Sequence, residues 1–408
     1  LPRPAPPKKV STDTVAKRPL LFNIGKLMVS NSRFSFDKTG PPPAAPSQPE
    51  IMDYNHLRAT DIDLQMDSLV FDDALTLNAR LQRLAVKERS GFVLEHAAAR
   101  SVVVNDTITA LYGVQIKTPH SLLGDTLVFR HKKYADYGDF VNAIDMDIRL
   151  SKGSKLRLGD ITYFSGPLYR NKFFAGNRET VADLSGNVRG AVNRLHGKRV
   201  ALRVGQNTVV EGDFIGEHLA EGKDQLGLEF QFERLQSDFQ SISKIIPGFT
   251  PPKNFARLGH LNFKGVYQII YGYNHILDGE LRSDVGHGKI NMALDLTRGK
   301  ENATYGGELE MRRFDLAAWT GDRKFGKTAF KVTIDPSSSG LTLSSINAKV
   351  TGTIDTLQYR GYTYRKIAMN GLFNRKIFDG KIKADDPNVD FTFDGLIDLR
   401  DTFPVMDF

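Results

Sequence analysis

From Ile62 to Leu399 the chain repeatedly places an apolar residue at every second position, in runs separated by turn residues. Successive side chains point to opposite faces only in a strand, so each run predicts a strand with one apolar face. Ile62, Leu64 and Met66 alternate with acids and Gln65; Leu75, Leu77, Ala79 and Leu81 form a second run, and Ile144, Met146, Ile148 and Leu150 a third. The second half is more regular: Ile290, Met292, Leu294 and Leu296; Tyr305, Gly307, Leu309 and Met311; Phe330, Val332 and Ile334; Ile346, Ala348, Val350 and Ile354; Ile367, Met369 and Phe373; Phe378 and Ile382; Val389, Phe391, Phe393, Ile397 and Leu399. The runs recur about every 12 to 20 residues, a spacing of hairpins and not of strand-helix-strand units. The expected fold is mainly β: an elongated, curled antiparallel meander, groove-like, with a few short helices.

Composition agrees. Thirty-six glycines, 26 phenylalanines and 13 tyrosines against one tryptophan favour strands and turns. With 40% hydrophobic and 25% charged residues the chain has the composition of a folded protein. The absence of cysteine excludes disulfides, thiolate metal ligands and a cysteine nucleophile. A net charge of +8 over 408 residues is diffuse. The one dense basic stretch, Arg189, Arg194, His196, Lys198, Arg199 and Arg203, reads as a solvated strand face, with anionic headgroups as the alternative; no nucleic-acid partner is expected.

Residues 1–20 read as a Pro/Lys-rich linker. Residues 21–235 form a first β-groove segment carrying a proline-rich loop at 40–50, residues 236–259 a short helical insert, and residues 260–408 a second, truncated groove segment. Within the insert, Ser237 is placed to cap a helix carrying Phe239, Ile242, Ile245 and Ile246, and a second helix fits from Pro251 to Leu258. A third follows Asp315 as N-cap, through Leu316, Ala317, Ala318 and Trp319. No apolar run reaches the 18 residues a membrane helix needs. The abrupt opening LPRPAPPKKV and the apolar close FPVMDF suggest an internal fragment of a longer chain.

Several motifs invite chemistry. GDRKFGKT (321–328) matches the phosphate-loop pattern, with Gly321, Gly326, Lys327 and Thr328 at its fixed positions. A phosphate loop runs strand, loop, helix; here a short helix precedes and a strand follows, so the match is read as chance and no nucleotide site is expected. Nine histidines (56, 96, 120, 131, 196, 218, 260, 275, 287) show no ligand spacing, and no metal site is expected. Glu308 and Glu310 lie on one strand face roughly 7 Å apart, but that face is the polar one, where no general acid gains a raised pKa. Asp390, Asp394 and Asp398 follow the same pattern. G-x-S-x-G is absent, and the chain is read as a non-enzyme without cofactors.

A one-faced sheet must bury its apolar side. About 20 strands at roughly 4.8 Å spacing extend about 90 Å, more than three short helices cover. Either the sheet closes on itself as a sealed core, or it curls and leaves an apolar trough. The residues that would line a trough are Ile290, Met292, Leu294, Leu309, Met311, Phe330, Val332, Ile334, Ile367, Met369, Phe373, Phe378, Ile382, Val389, Phe391, Phe393, Ile397 and Leu399.

Six phrases, in order, NSRFSFD (31–37), MDYNHL (52–57), KERSGFVLEH (87–96), KTPHSLLGD (117–125), IPGFTPPKNFARLGHLNFKG (246–265) and FDGKIKADDPNVDFTFDGLIDL (378–399), resemble the TamB translocation and assembly family of the AsmA-like superfamily, in its Bacteroidota form. The resemblance covers residue 22 to the end. It implies a periplasmic β-groove of taco-like section in a protein anchored in the inner membrane. It also implies phospholipid acyl chains as cargo and an Omp85-family outer-membrane barrel as partner, reached through regions outside this stretch. Roles in lipid transport, outer-membrane protein assembly and secretion follow from the same resemblance, which brings no catalytic residues.

Overall fold

Alternation along the chain becomes pairing between neighbours. The computed structural model describes residues 21–38, 50–72, 75–170, 172–245, 253–342, 344–398, 400 and 405–407. The linker 1–20, nearly all of the loop 40–50, Ile246 and Leu399 lie outside them. The 21 strands form one antiparallel sheet. In chain order they are β1 (Phe22–Asp37), β2 (His56–Phe71), β3 (Leu77–Glu88), β4 (Val93–Val104), β5 (Ile108–Lys117), β6 (Leu122–Arg130), β7 (Asp145–Arg157), β8 (Val181–Gly190), β9 (Arg194–Val204), β10 (Thr208–Glu217) and β11 (Gly227–Asp238). There follow β12 (His260–Ile270), β13 (Asn274–Ser283), β14 (Gly286–Asp295), β15 (Thr304–Asp315), β16 (Phe325–Ser339), β17 (Asn347–Tyr359), β18 (Tyr362–Asn374), β19 (Ile377–Asp386), β20 (Val389–Asp398) and β21 (Val405–Asp407). Each strand pairs with its sequence neighbours. The sheet is not closed: β1 and β21 each have one partner among the described residues. It also crosses the connection between β11 and β12 without a break.

Because the meander reverses at every strand, all odd strands end at one rim and all even strands at the other. Six short α-helices decorate these rims: α1 (Phe140–Ala143), α2 (Leu158–Thr162), α3 (Gly166–Arg170), α4 (Lys172–Gly176), α5 (Phe239–Ile245) and α6 (Leu316–Thr320). The segment α2–α4 follows β7, α5 and a 3-10 turn (Lys253–Leu258) follow β11, and α6 follows β15. All of these therefore sit at the odd-end rim, whereas α1 sits at the other.

The sequence reading placed three helices. The first begins after Asp238, whose carboxylate accepts from the Ser241 amide at 2.8 Å. Ser237 does not cap it. The ladder of β11 extends through that residue, and its buried hydroxyl meets Thr208 at 2.8 Å. The second is a 3-10 turn beginning at Lys253, the residues before it lying outside the described set. The third matches expectation, with Asp315 accepting from the Ala318 amide at 2.8 Å. Leu75 precedes β3 and is exposed. Neither α1 nor α2–α4 was anticipated.

Bulges bend the sheet. Asn31 and Arg199 sit at φ 44° and 50° within strands, and their displaced amides donate to Asp63 (3.0 Å) and Asp213 (2.7 Å) on the neighbouring strand. Two buried clusters mark where the apolar face is thickest. One joins Leu69, Ala79, Ala99, Val102 and Val114 of β2–β5. The other joins Leu258, Leu261, Val285, Met311 and Phe314 beside α5 and α6.

Candidate functional site: an apolar face with two helical covers

The register converts the separate stripes into one surface. Ile290 pairs with Leu309, Leu309 with Val332, Val332 with Gly352, Gly352 with Met369, Met369 with Ile382 and Ile382 with Phe393. Direct partners share a face, so every described residue nominated from the sequence lies on the same side of β14–β20. Most are half-buried: Ile290, Met292, Leu294, Leu309, Phe330, Val332, Ile334, Ile367, Met369, Phe373, Ile382, Val389 and Ile397.

Four nominated positions depart from that pattern. Phe391 is exposed at 46%, whereas Met311, Phe378 and Phe393 are buried at 4%, 2% and 9%. Met311 is covered by the helical layer beside α6. Phe378 is buried because its ring lies over Gly371 of the next strand, where an added Cβ would come within 2.5 Å of it, and against Phe373 at 4.9 Å. Leu399 is the one nominated residue outside the described set.

The opposite face is polar and ion-paired. Glu308 meets Lys331 at 3.0 Å, Glu310 meets Arg312 at 2.7 Å and Asp394 meets Lys381 at 3.4 Å. In the basic stretch, Lys198 pairs with Asp213 at 2.7 Å and Arg189 with Asp147 at 3.3 Å. GDRKFGKT spans the end of α6 and the start of β16. Gly321 closes the helix at φ 84°, while Gly326, Lys327 and Thr328 lie in the strand. The Lys327 amide donates to Gln358 (2.9 Å) and the buried Thr328 hydroxyl to the Thr356 carbonyl (2.9 Å). Among the described residues no three His, Asp or Glu side chains gather as metal ligands, and no helix is long and apolar enough to cross a membrane.

Two covers fold over the apolar face from the odd-end rim. The first is α2–α4, and it turns on Asp160. Its carboxylate accepts from Thr118 and Ser121 (both 2.6 Å) and pairs with Arg157 at 2.8 Å. Burial pushes this carboxyl up, but the hydrogen bonds from Ser121, Thr118 and Arg157 outweigh burial and hold it below the ordinary value of 3.8. Gly159 fits only as glycine, since a Cβ would stand 2.8 Å from the Arg178 carbonyl. Further ties come from the Met52 amide to Tyr163 O (2.8 Å), the Tyr54 hydroxyl to Phe164 O (3.0 Å), and Phe92 packed edge-on against Tyr163 and Phe164.

The second cover, α5 with the 253–258 turn and α6, is aromatic. Phe239, Phe255, Trp319, Phe314 and Phe330 form a chain of ring contacts with centroids 5.3 to 6.1 Å apart. Arg257 donates to the Trp319 carbonyl at 3.0 Å, joining the two helical pieces.

The phrases that carry the family resemblance meet this rim. MDYNHL, KERSGFVLEH and KTPHSLLGD supply Met52, Tyr54, Phe92, Thr118 and Ser121 to the first cover, while NFARL supplies the turn of the second. In the last phrase, Asp386 turns the β19–β20 hairpin by accepting from the Arg365 and Asn388 amides (2.9 and 3.0 Å) and from the Tyr362 hydroxyl. Sequence reasoning marked residues 385–388 as the turn before the last predicted strand but nominated none of the residues that tie down the first cover. A Ser/Thr turn opposite a lone Asp leaves no period to detect. Comparison of the chain with models of known families, with curated proteins and with solved structures finds no match.

Proposed function

We propose that this chain is part of a lipid-conducting groove in a TamB-like envelope protein of the periplasm, anchored in the inner membrane. In this reading phospholipid tails lie along the apolar face while headgroups stay in water. Contact with an Omp85-family barrel, and the support of outer-membrane biogenesis, are made through other regions of the full-length protein. The observation that carries the reading is the row from Ile290 to Phe393, half-buried at most positions and continuous through the register of seven strands. A contiguous apolar face that stays partly open to solvent over several strands supports a binding surface.

Burying one methylene contributes about 0.8 kcal/mol. Because Ile290, Leu309, Val332, Met369 and Ile382 present similar surface on β14, β15, β16, β18 and β19, with Gly352 between them on β17, a tail moving along the row exchanges like contacts for like, and no nucleotide is required at this site. The test is a photo-crosslinking residue in place of Phe391, the most exposed lining position, in cells. Capture of phospholipid is expected; capture of protein alone would overturn the reading.

A second reading, a scaffold for outer-membrane protein assembly and secretion, is favoured by β1. Its outer edge has no partner among the described residues, it contains no proline, and Met28 and Phe34 are 61% and 52% exposed. An extended client segment would add to such an edge.

A further inference from the structure

The first cover touches the sheet at its margin, through Asp160 and Phe92, and leaves a space over the strands between. Between the sheet and α2 lies an apolar pocket of about 390 Å³, partly open to solvent. Its floor includes Leu84, Ala97, Ile116 and Leu123, one row of direct cross-strand partners on β3–β6, and its roof is Ile161 and Phe164. Lining residues extend from β3 to β7. On a flat sheet those outer strands stand about 19 Å apart, so the space runs across five strands.

The wall offers nothing to a polar ligand. Thr118, Ser121 and Asp160 reach its margin, but both hydroxyls donate to the Asp160 carboxylate, which Arg157 also engages. An enclosed apolar cavity of about 150 Å³ takes up benzene. One more than twice that size accommodates an alkyl chain on the order of ten carbons or longer. Leu81, Leu111 and Ile116 line the cavity and also belong to the apolar layer of β1–β6. A tail therefore reaches it from the neighbouring face over carbon alone.

We propose that this cavity is a discrete holding site for one hydrocarbon tail of an amphiphile, distinct from the even row on β14–β20 along which tails move. The inference rests on the reading of the apolar face as tail-binding, and gives that face a fixed station. The second cover is built differently, its aromatic rings packing directly on Met311 and Phe314.

The test uses the whole chain and palmitic acid bearing a diazirine at its terminal carbon, with labelled peptides mapped by mass spectrometry. Expected is saturable labelling of the segment 81–164 at one chain per molecule, with non-saturating labelling of β14–β20. Ala97→Phe and Ile116→Trp, on separate strands and each checked for folding by circular dichroism, should lower the first signal by about tenfold or more, the equivalent of roughly two lost methylene contacts. The β14–β20 signal should be unchanged. Saturable labelling confined to β14–β20 would overturn the holding site and leave the groove reading standing; absence of label everywhere would overturn both. Labelling of 81–164 that persists in folded variants also overturns it. Should neither variant fold, the map from the unaltered chain decides by itself.

Discussion

The two covers occupy equivalent places, yet they are built on opposite principles. The second, around Phe314 and Trp319, is an aromatic plug in which side chains fill the space over the strands. The first is suspended by a polar hub, Asp160 with Thr118, Ser121 and Arg157, and leaves an apolar space of about 390 Å³ below it. A helix held by packing must touch what it covers. A helix held at its margin by charge-assisted hydrogen bonds can stand clear. The difference teaches that the same rim can seal the face at one place and shelter it at another.

That contrast can be broken most directly at the plug. Phe314→Ala removes a buried ring from the second cover and should destabilise the protein by about 4 kcal/mol, read from the urea midpoint, while leaving protease resistance of 158–176 unchanged. Asp160→Ala should cost on the order of 3 kcal/mol, because it leaves Arg157 without its buried partner, and should expose 158–176 to proteolysis without affecting 239–258.

The pH dependence sharpens the same comparison. The Asp160 carboxyl is held below 3.8 in the folded chain. Its contribution is therefore complete above the unfolded value and lost as pH falls through the lower, folded one. Pepsin should cut 158–176 increasingly as pH drops below 3.8, and Asp160→Asn should flatten that dependence. The smallest effect is expected on the polar face, where Lys331→Gln breaks an exposed pair with Glu308. It should shift stability by less than about 1 kcal/mol, and less still in high salt.

The sheet was legible because its signal is local. In β14–β20 the nominated residues of each strand fall on one parity, with Leu372, Ile377 and Leu396 among those on the other, and a period of two is read without tertiary context. The α6 helix was legible for the same reason, its cap and its first turn being adjacent at Asp315–Ala318. The first cover was not. LGDITYFSGPLYRNKFFAG (158–176) carries three helices of five residues, the first two separated by residues 163–165, each too short for a 3.6-residue period to emerge. What fixes it in place comes from Thr118, Ser121, Phe92 and Tyr54, some 40 to 110 residues away in the chain. Ser237 was mistaken for a cap because β11 runs one residue further, to Asp238, and that last strand residue caps α5. Burial of Phe378 escaped notice because it depends on Gly371 lying beside it, a fact of register alone.

The meander also makes length adjustable. Since each strand is bonded only to the strands before and after it in the chain, insertion or loss of a complete hairpin changes the span by roughly 10 Å and disturbs no distant pairing. Such edits must come in twos. Adding a single strand would send every later insert, the aromatic plug included, to the opposite margin of the molecule.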